Sequence, residues 1–574
     1  MPSYFDNLNP DLLERIPLDA RIVLDVGCGA GTLGAEYKRR NPTAQYFGIE
    51  PDPVAARIAA TRLDRVSTAD VESDPHPFVE QLPPGSVDCI VFGDVLEHLR
   101  DPWSALRRHA QLLSENGTLL ACIPNMEHWS FAERLLRGTW DYDDQGLFDS
   151  THLRWFGFQA MRRMFQQAGL VPHDSAPRVF DAGQAEAFVQ AIEPGLVRIG
   201  IDPQAYLRRA APLQFVWRAR HRPVQPVSVV STMLDPVGGV SDVRVVEPLR
   251  AMATDPGLTT QIVPRMELPE PGDATPRIYI FHRPLLAGDR GLEAVRELTA
   301  RGYVVVCEFD DHPDYIPVLQ RDDVQNFRAV HAVQTSTEPL AEVLRQQNPE
   351  VMVFPNGMFR LPDVRNYADP DSFTLFFGSL NREDDWPPYL SALNAVAAMA
   401  GPRLRFQIVN DRGLFDALET PYKNFTPLCD YETYQDLLSR SEASFMPLQD
   451  TPFNRCKSDL KFIEAAAYRV TALASPVVYG DTVQDGRTGI LFHDANELQQ
   501  RLARLVANPE LGQAIGVAAR SYVAGERMLA YQVARRTAWY RSLWERRDEL
   551  NRALLARVPE LVQTPVPAEA PPGP

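Results

Sequence analysis

Ile22-Val23-Leu24-Asp25-Val26-Gly27-Cys28-Gly29-Ala30-Gly31 is a short apolar run that ends in alternating glycines. It reads as a buried strand of a parallel sheet entering a tight turn. Glycine permits such a turn and lets the backbone approach a ligand closely. Beyond Gly31 the pattern becomes helical, and the first N–H groups of a helix suit polar or anionic groups. A dinucleotide loop of related logic usually reads GxGxxG; here the order is Asp25-x-Gly27-x-Gly29-x-Gly31. Glu50 ends the next strand candidate, Tyr46–Ile49, nineteen residues past Gly31. A carboxylate there can accept hydrogen bonds from both hydroxyls of a ribose. Together the two features point to an adenosine-containing ligand. The plainer alternative is a generic α/β turn beside a surface acid.

Outward from this turn the same alternation continues. Val87–Phe92 and Thr118–Ile123 read as strands, with Asn116-Gly117 as a turn before the second. Leu96–Leu113 and Arg154–Gly169 read as helices, and Ala211–Arg218 as a late strand. A second cycle starts at Val227–Ser231, with strands at Arg277–Phe281, Tyr303–Glu308, Val330–Thr335 and Val351–Phe354. A third starts at Phe373–Phe377, with strands at Arg405–Val409, Ala443–Met446 and Thr471–Ala474. Strand–helix alternation predicts α/β units with mostly parallel sheets. The expected division is 1–218, a linker at 219–226, then 227–365, 366–555, and a proline-rich, disordered tail at 556–574.

Composition narrows the function classes. The chain has 574 residues and a formal charge of -17 from 75 acidic and 58 basic side chains. That balance argues against a nucleic-acid backbone as the main partner. Cys28, Cys89, Cys122, Cys307, Cys429 and Cys456 are isolated, with no CxxC spacing, so neither a disulfide framework nor a zinc site is expected. Met1–Asp11 lacks a basic segment followed by an apolar run, and no stretch is long enough to span a membrane. The expectation is a cytoplasmic protein, with peripheral attachment at the inner membrane face left open.

The motif set of the first half resembles that of class I S-adenosylmethionine (SAM)-dependent methyltransferases. The resemblance implies a Rossmann-like domain in which Asp25, Gly27, Cys28, Gly29, Gly31 and Glu50 cradle SAM. Asp70, in Thr68-Ala69-Asp70-Val71, matches the position that contacts the adenine amino group. Asp94, in Asp94-Val95-Leu96-Glu97-His98-Leu99, stands beside the methionine end. Leu135–Tyr142 and Thr151-His152-Leu153-Arg154-Trp155-Phe156 resemble a subgroup that accompanies sugar-processing domains, making His152 and Arg154 acceptor-pocket candidates. A sugar hydroxyl is a weak nucleophile that benefits from a general base, and histidine has a suitable pKa. His98 and His152 are the candidates for that base. Structural roles, packing for His98 and a helix cap for His152, are the competing readings. With no metal cluster evident, the reaction is expected to be metal-independent.

The second half resembles two-domain GT-B glycosyltransferases, particularly the family-4-like group. Lys457-Ser458-Asp459-Leu460-Lys461-Phe462-Ile463-Glu464 carries the resemblance. If Ser458 or Asp459 caps a helix, Lys461 and Glu464 share one face. The resemblance implies that Lys461 neutralises a donor diphosphate with Lys457 or Arg382, and that Glu464 positions the donor. Phe376–Arg382, including Asn381, resembles the opening of the donor domain. Val353-Phe354-Pro355-Asn356-Gly357 resembles the connector before it. Gly238 and Gly239 form a candidate phosphate or acceptor loop, and Asp310 and Asp311 a polar cluster for acceptor sugar. One departure stands out: the family often has a glutamate eight residues before Glu464, and here that residue is Cys456.

The resulting expectation is a bifunctional glycan-modifying enzyme. It would methylate a glycan hydroxyl from SAM and transfer a sugar, with retention, from a nucleotide-sugar donor. Glycan, lipid-linked saccharide or glycoprotein acceptors are the expected partners. The alternatives are a methyltransferase with a non-catalytic glycan-binding half, and a scaffold without catalysis.

Overall fold

The structure is a computed structural model that describes residues 6–74, 76–233, 239–264, 275–364, 371–380 and 382–562. Gly238, Asn381 and the end of the expected tail, 563–574, lie outside the described residues. Two compact units emerge, residues 1–225 with 253–257, and residues 226–252 with 258–574.

The first unit holds one seven-stranded sheet. Its strands are β1 (Ile22–Val26), β2 (Gln45–Ile49), β3 (Arg65–Ser67), β4 (Val87–Gly93), β5 (Leu113–Pro124), β6 (Val171–Arg178) and β7 (Gln214–Arg220). Their order is β3-β2-β1-β4-β5-β7-β6. β1 lies parallel between β2 and β4, and β7 runs antiparallel between β5 and β6. β1 is buried on both faces after Ile22, which explains its continuous apolar run. Leu24, Val26 and Ile90 face one core; Val23, Cys89 and Val91 face the other. The strand order reverses direction at β1/β4, so the glycine turn sits at the switch point where α/β sheets place ligands.

Two local expectations are corrected, and one strand is added. Leu96–Leu113 is not one helix. A 3-10 turn covers Leu96–His98, and the α-helix starts at Pro102 with the Asp101 carboxylate accepting from the Ser104 N–H. Proline suits that first position because its missing N–H would have no partner there. Asn116-Gly117 does not close a turn but lies inside β5. β6 answers to no strand expected from the sequence; it carries Pro172 and Pro177, which an edge strand tolerates.

The second unit holds two parallel six-stranded sheets. The first contains β8 (Val227–Thr232), β9 (Leu258–Val263), β10 (Arg277–His282), β11 (Val304–Glu308), β12 (Ala332–Thr335) and β13 (Val351–Val353). The other contains β14 (Phe373–Gly378), β15 (Leu404–Val409), β16 (Lys423–Thr426), β17 (Ala443–Met446), β18 (Thr471–Ala474) and β19 (Ile490–Leu491). Their orders are β13-β12-β11-β10-β8-β9 and β16-β15-β14-β17-β18-β19. Packing does not follow the expected boundary at 555. The helices Val533–Glu545 and Arg547–Arg557 return to the first sheet, where Trp539, Tyr540, Leu543 and Leu550 join Val229, Ile278 and Val306 in one core. Residues 556–562, expected in the tail, continue that packing: Val558 and Leu561 are buried against the other face.

Candidate functional site

The first unit contains a cavity of about 750 Å3 at the C-terminal ends of β1, β2 and β4. Asp25, Gly27, Cys28, Gly29, Glu50, Asp70, Asp94 and His98 line it. Gly27, Gly29 and Gly31 have φ of 74°, 55° and 78°, the left-handed conformation that glycine adopts without strain. A Cβ on Gly27 would lie 2.3 Å from a Val95 methyl carbon. Gly31 does not line the cavity. It starts the helix Thr32–Arg40 and packs against Ala59 and Leu63.

Glu50 ties the turn to β2. One carboxylate oxygen accepts from the Gly29 N–H at 2.8 Å and the other from the Asp52 N–H at 2.9 Å. Each oxygen keeps a second lone pair for a ribose hydroxyl. Burial raises the Glu50 pKa, with the two N–H groups opposing it. Asp25 is buried deeper, accepts from the Tyr46 hydroxyl at 3.0 Å, and is pushed up to about 7 by burial. Asp70 accepts from the Glu72 N–H and the Ser73 hydroxyl. Asp94 sits at φ 55° and accepts from the Gln214 side chain, an uncommon backbone state for a non-glycine residue.

Next to the cavity, the rings of His98 and His152 meet edge to face with centroids 4.8 Å apart. His98 Nδ1 lies 3.2 Å from the Thr151 carbonyl and 3.0 Å from the Thr151 hydroxyl. His152 Nδ1 lies 3.2 Å from the Leu147 carbonyl. Burial lowers the His152 pKa, and His98 adds to the effect. Arg154 points elsewhere: its guanidinium donates to the Arg100 and Leu153 carbonyls, and it does not line the cavity. The sequence reading passed over Glu97. The residue is 1% exposed, and neither carboxylate oxygen has a hydrogen-bond partner among the described residues. Burial drives its pKa far up, with the Asp94 and Asp149 charges adding to it. Glu97 lay within the quoted motif, but the chain separation from His152 hides their meeting.

In the second unit, Lys461 and Glu464 lie on the helix Leu460–Ala467. Asp459 does not cap that helix with its side chain; its carboxylate pairs with Arg527 instead. Ser458 accepts from the Asn356 side chain at 2.8 Å, which ties the connector to this segment. Burial lowers the Lys461 pKa to about 8, and its ammonium donates to the Gly378 carbonyl at the end of β14. Glu464 is 2% exposed and accepts from the Tyr431 hydroxyl at 2.5 Å. The Tyr431 ring in turn packs on Gly239, where a Cβ would come within 2.5 Å of it. Tyr431 carries no local motif, so nothing in the sequence marked it.

Asp310, Asp311 and Lys457 gather at the ends of β10 and β11. Arg283 bridges Asp310 at 2.6 Å and Asp311 at 3.0 Å, and Lys457 donates to Asp311. Despite burial, Arg283 holds the Asp310 carboxyl below its ordinary value. Arg382 binds Asp385 and the Asn454 side chain. Beneath them Arg244 and Glu308 form a fully buried pair at 2.9 Å, completed by Asn356 and Gln334.

Residues 3–174 match the family profile of a methyltransferase domain. The ubiquinone biosynthesis O-methyltransferase of Xanthomonas campestris pv. campestris is 33% identical over 152 residues, 24% of this chain and 63% of that protein. The chain therefore spans less than two thirds of this curated relative's length. Among solved structures, S. aureus TarM with UDP bound shares 12% identity over 46% of this chain and 55% of that one, at a TM-score of 0.35. Anabaena Alr3699/HepE in complex with UDP-glucose shares 12% over 55% and 99%, at 0.38. The profile match and the sheet orders together give an N-terminal methyltransferase domain followed by two further parallel α/β sheets, consistent with a GT-B architecture.

Proposed function

We propose that the first unit transfers a methyl group from SAM to a glycan hydroxyl, and that the second binds a nucleotide sugar and transfers its sugar to a related acceptor. The observation that carries the first part is the left-handed glycine turn, tied by Gly29 to Glu50 on the wall of a 750 Å3 cavity. Its residues fit SAM: Glu50 for the ribose, Asp70 for the adenine, the glycine backbone for close approach. Bound SAM supplies an electrophilic methyl on a sulfonium. The chain's own contribution is to orient the acceptor, exclude water and receive its proton. His98 lines the cavity and is held by Thr151, so it or its neighbour His152 takes that proton.

The test is labelled methyl transfer to a panel of cell-surface glycans, with and without nucleotide sugars, read by mass spectrometry. Methylated sugar hydroxyls are the expected product. His98→Ala or His152→Ala should lower the rate by about tenfold or more at unchanged SAM affinity. Unchanged rates in both variants remove the base assignment.

A second reading has its own support. One Glu464 oxygen already accepts from Tyr431, the Lys461 ammonium already donates to Gly378, and position 456 is cysteine. These features favour a second unit that binds glycan without catalysis. Donor hydrolysis and transfer assays separate the two: turnover lost in Lys461→Ala and Glu464→Ala supports transfer, and no turnover by the unaltered chain supports binding alone.

A further inference from the structure

We infer that Glu97, His98 and His152 form a site for a divalent transition-metal ion beside the proposed cofactor cavity. One donor atom from each lies within 4.8 Å of the others. That spread is small enough for one ion to draw them together by modest side-chain rotation. The pairing of groups points the same way. A carboxylate 1% exposed with no hydrogen-bond partner among the described residues is a costly arrangement. A purely structural acid would be expected to bond the histidines beside it, and Glu97 does not.

The histidines are arranged as ligands are. Each Nδ1 is engaged by a backbone carbonyl, Thr151 for His98 and Leu147 for His152. A neutral imidazole donating from Nδ1 keeps its lone pair on Nε2, and such outer hydrogen bonds fix the tautomer of metal-bound histidine. Behind them, the Thr151 hydroxyl and N–H both donate to Asp149, at 2.6 and 2.7 Å. This carboxylate anchors the Thr151 loop that orients His98.

Two nitrogens and one oxygen suit zinc, manganese or cobalt better than calcium or magnesium, which favour all-oxygen sets. Three protein ligands leave a coordination position for an acceptor oxygen. His98 lines the cavity, so that oxygen would stand at its edge. An ion there would acidify the acceptor hydroxyl. In this arrangement His98 and His152 hold the ion instead of taking the proton, which passes to solvent, and the oxygen bonds to the methyl carbon as the carbon–sulfur bond breaks. The bonding pair stays on sulfur, giving a neutral thioether. This inference rests on the methyl-transfer reading and reverses the expectation of a metal-independent reaction.

The experiment uses the full chain, stripped with a chelator and titrated with Co2+. Uptake is followed by visible ligand-field absorption and calorimetry, with SAM affinity measured in parallel. One Co2+ per chain is expected. Glu97→Gln and His152→Gln should each weaken its binding by about tenfold or more, with SAM affinity retained. If Glu97→Gln loses SAM binding as well, its fold has failed and His152→Gln decides. No Co2+ uptake by a chain that binds SAM, or equal uptake in both variants, overturns the site. Co2+ uptake lost in the variants, in a chain that binds no SAM, upholds the ion site and removes the cofactor reading.

Discussion

A methyl group added at position 27 would press into a Val95 side chain on a backbone already at φ 74°. Gly27→Ala therefore combines a clash with backbone strain of about 1–3 kcal/mol. We expect SAM affinity to fall by about tenfold or more, measured by calorimetry. Asp25 makes a second prediction. Its folded carboxyl is raised to about 7 by burial, whereas an unfolded aspartate titrates near 3.9. Between these values the folded state holds a proton that the unfolded chain has released. Stability therefore falls as pH rises through that window. Asp25→Asn should flatten this fall, read as hydrogen-exchange protection of β1 and β2 amides at pH 5 and pH 7. At this scale the sequence was most informative where residues are local to strand ends: Gly27, Gly29, Glu50 and Asp70 line one cavity because they follow β1, β2 and β3, whereas Gly31 packs behind it. Glu97, Tyr431 and Arg244 were not legible. Their partners lie far along the chain, and an ordinary residue type gives no sign that it will be buried.

Strands and helices repeat that lesson. The buried central strands were found because two covered faces demand an unbroken apolar run, as in Val87–Phe92 and Ala443–Met446. The edges β3, β9 and β16 were missed because a half-covered strand can be short or polar, and β6 because two prolines interrupt its strand pattern. Beneath the Asp310–Asp311 cluster, Arg244 from the turn Asp242–Val246 anchors Glu308 at the end of β11. Replacing one partner leaves the other charge buried and alone, which costs about 3–5 kcal/mol. Arg244→Met should lower the second unit's unfolding free energy, measured by urea titration, by that scale, and Arg244→Met with Glu308→Met should recover much of it.

For the whole molecule, the three α/β cycles and the start of the second half near Val227 were readable from where strand patterns restart. The return of the last helices was not, since their apolar faces name no target. Trp539 packs on Phe354 with ring centroids 5.5 Å apart, and Tyr540 donates to Gln334 on β12. Ending the chain after Gln532 should strip the β8–β13 sheet of part of its core and unfold it, while SAM binding by the first unit persists. Differential scanning calorimetry with and without SAM measures both: the cofactor-dependent transition should remain and the other should be lost.

The same closure sets an order of events during translation. The methyltransferase part has left the ribosome whole before synthesis of the second half is far advanced, so it can reach its native state early. The sheet that begins at Val227 must wait, with an oily face uncovered, until the helices at 533–557 emerge. A nascent intermediate of this kind attracts chaperones and aggregates when they are scarce. Slow codons or early termination in the stretch encoding residues 533–557 should thus harm the yield of the second half far more than that of the first.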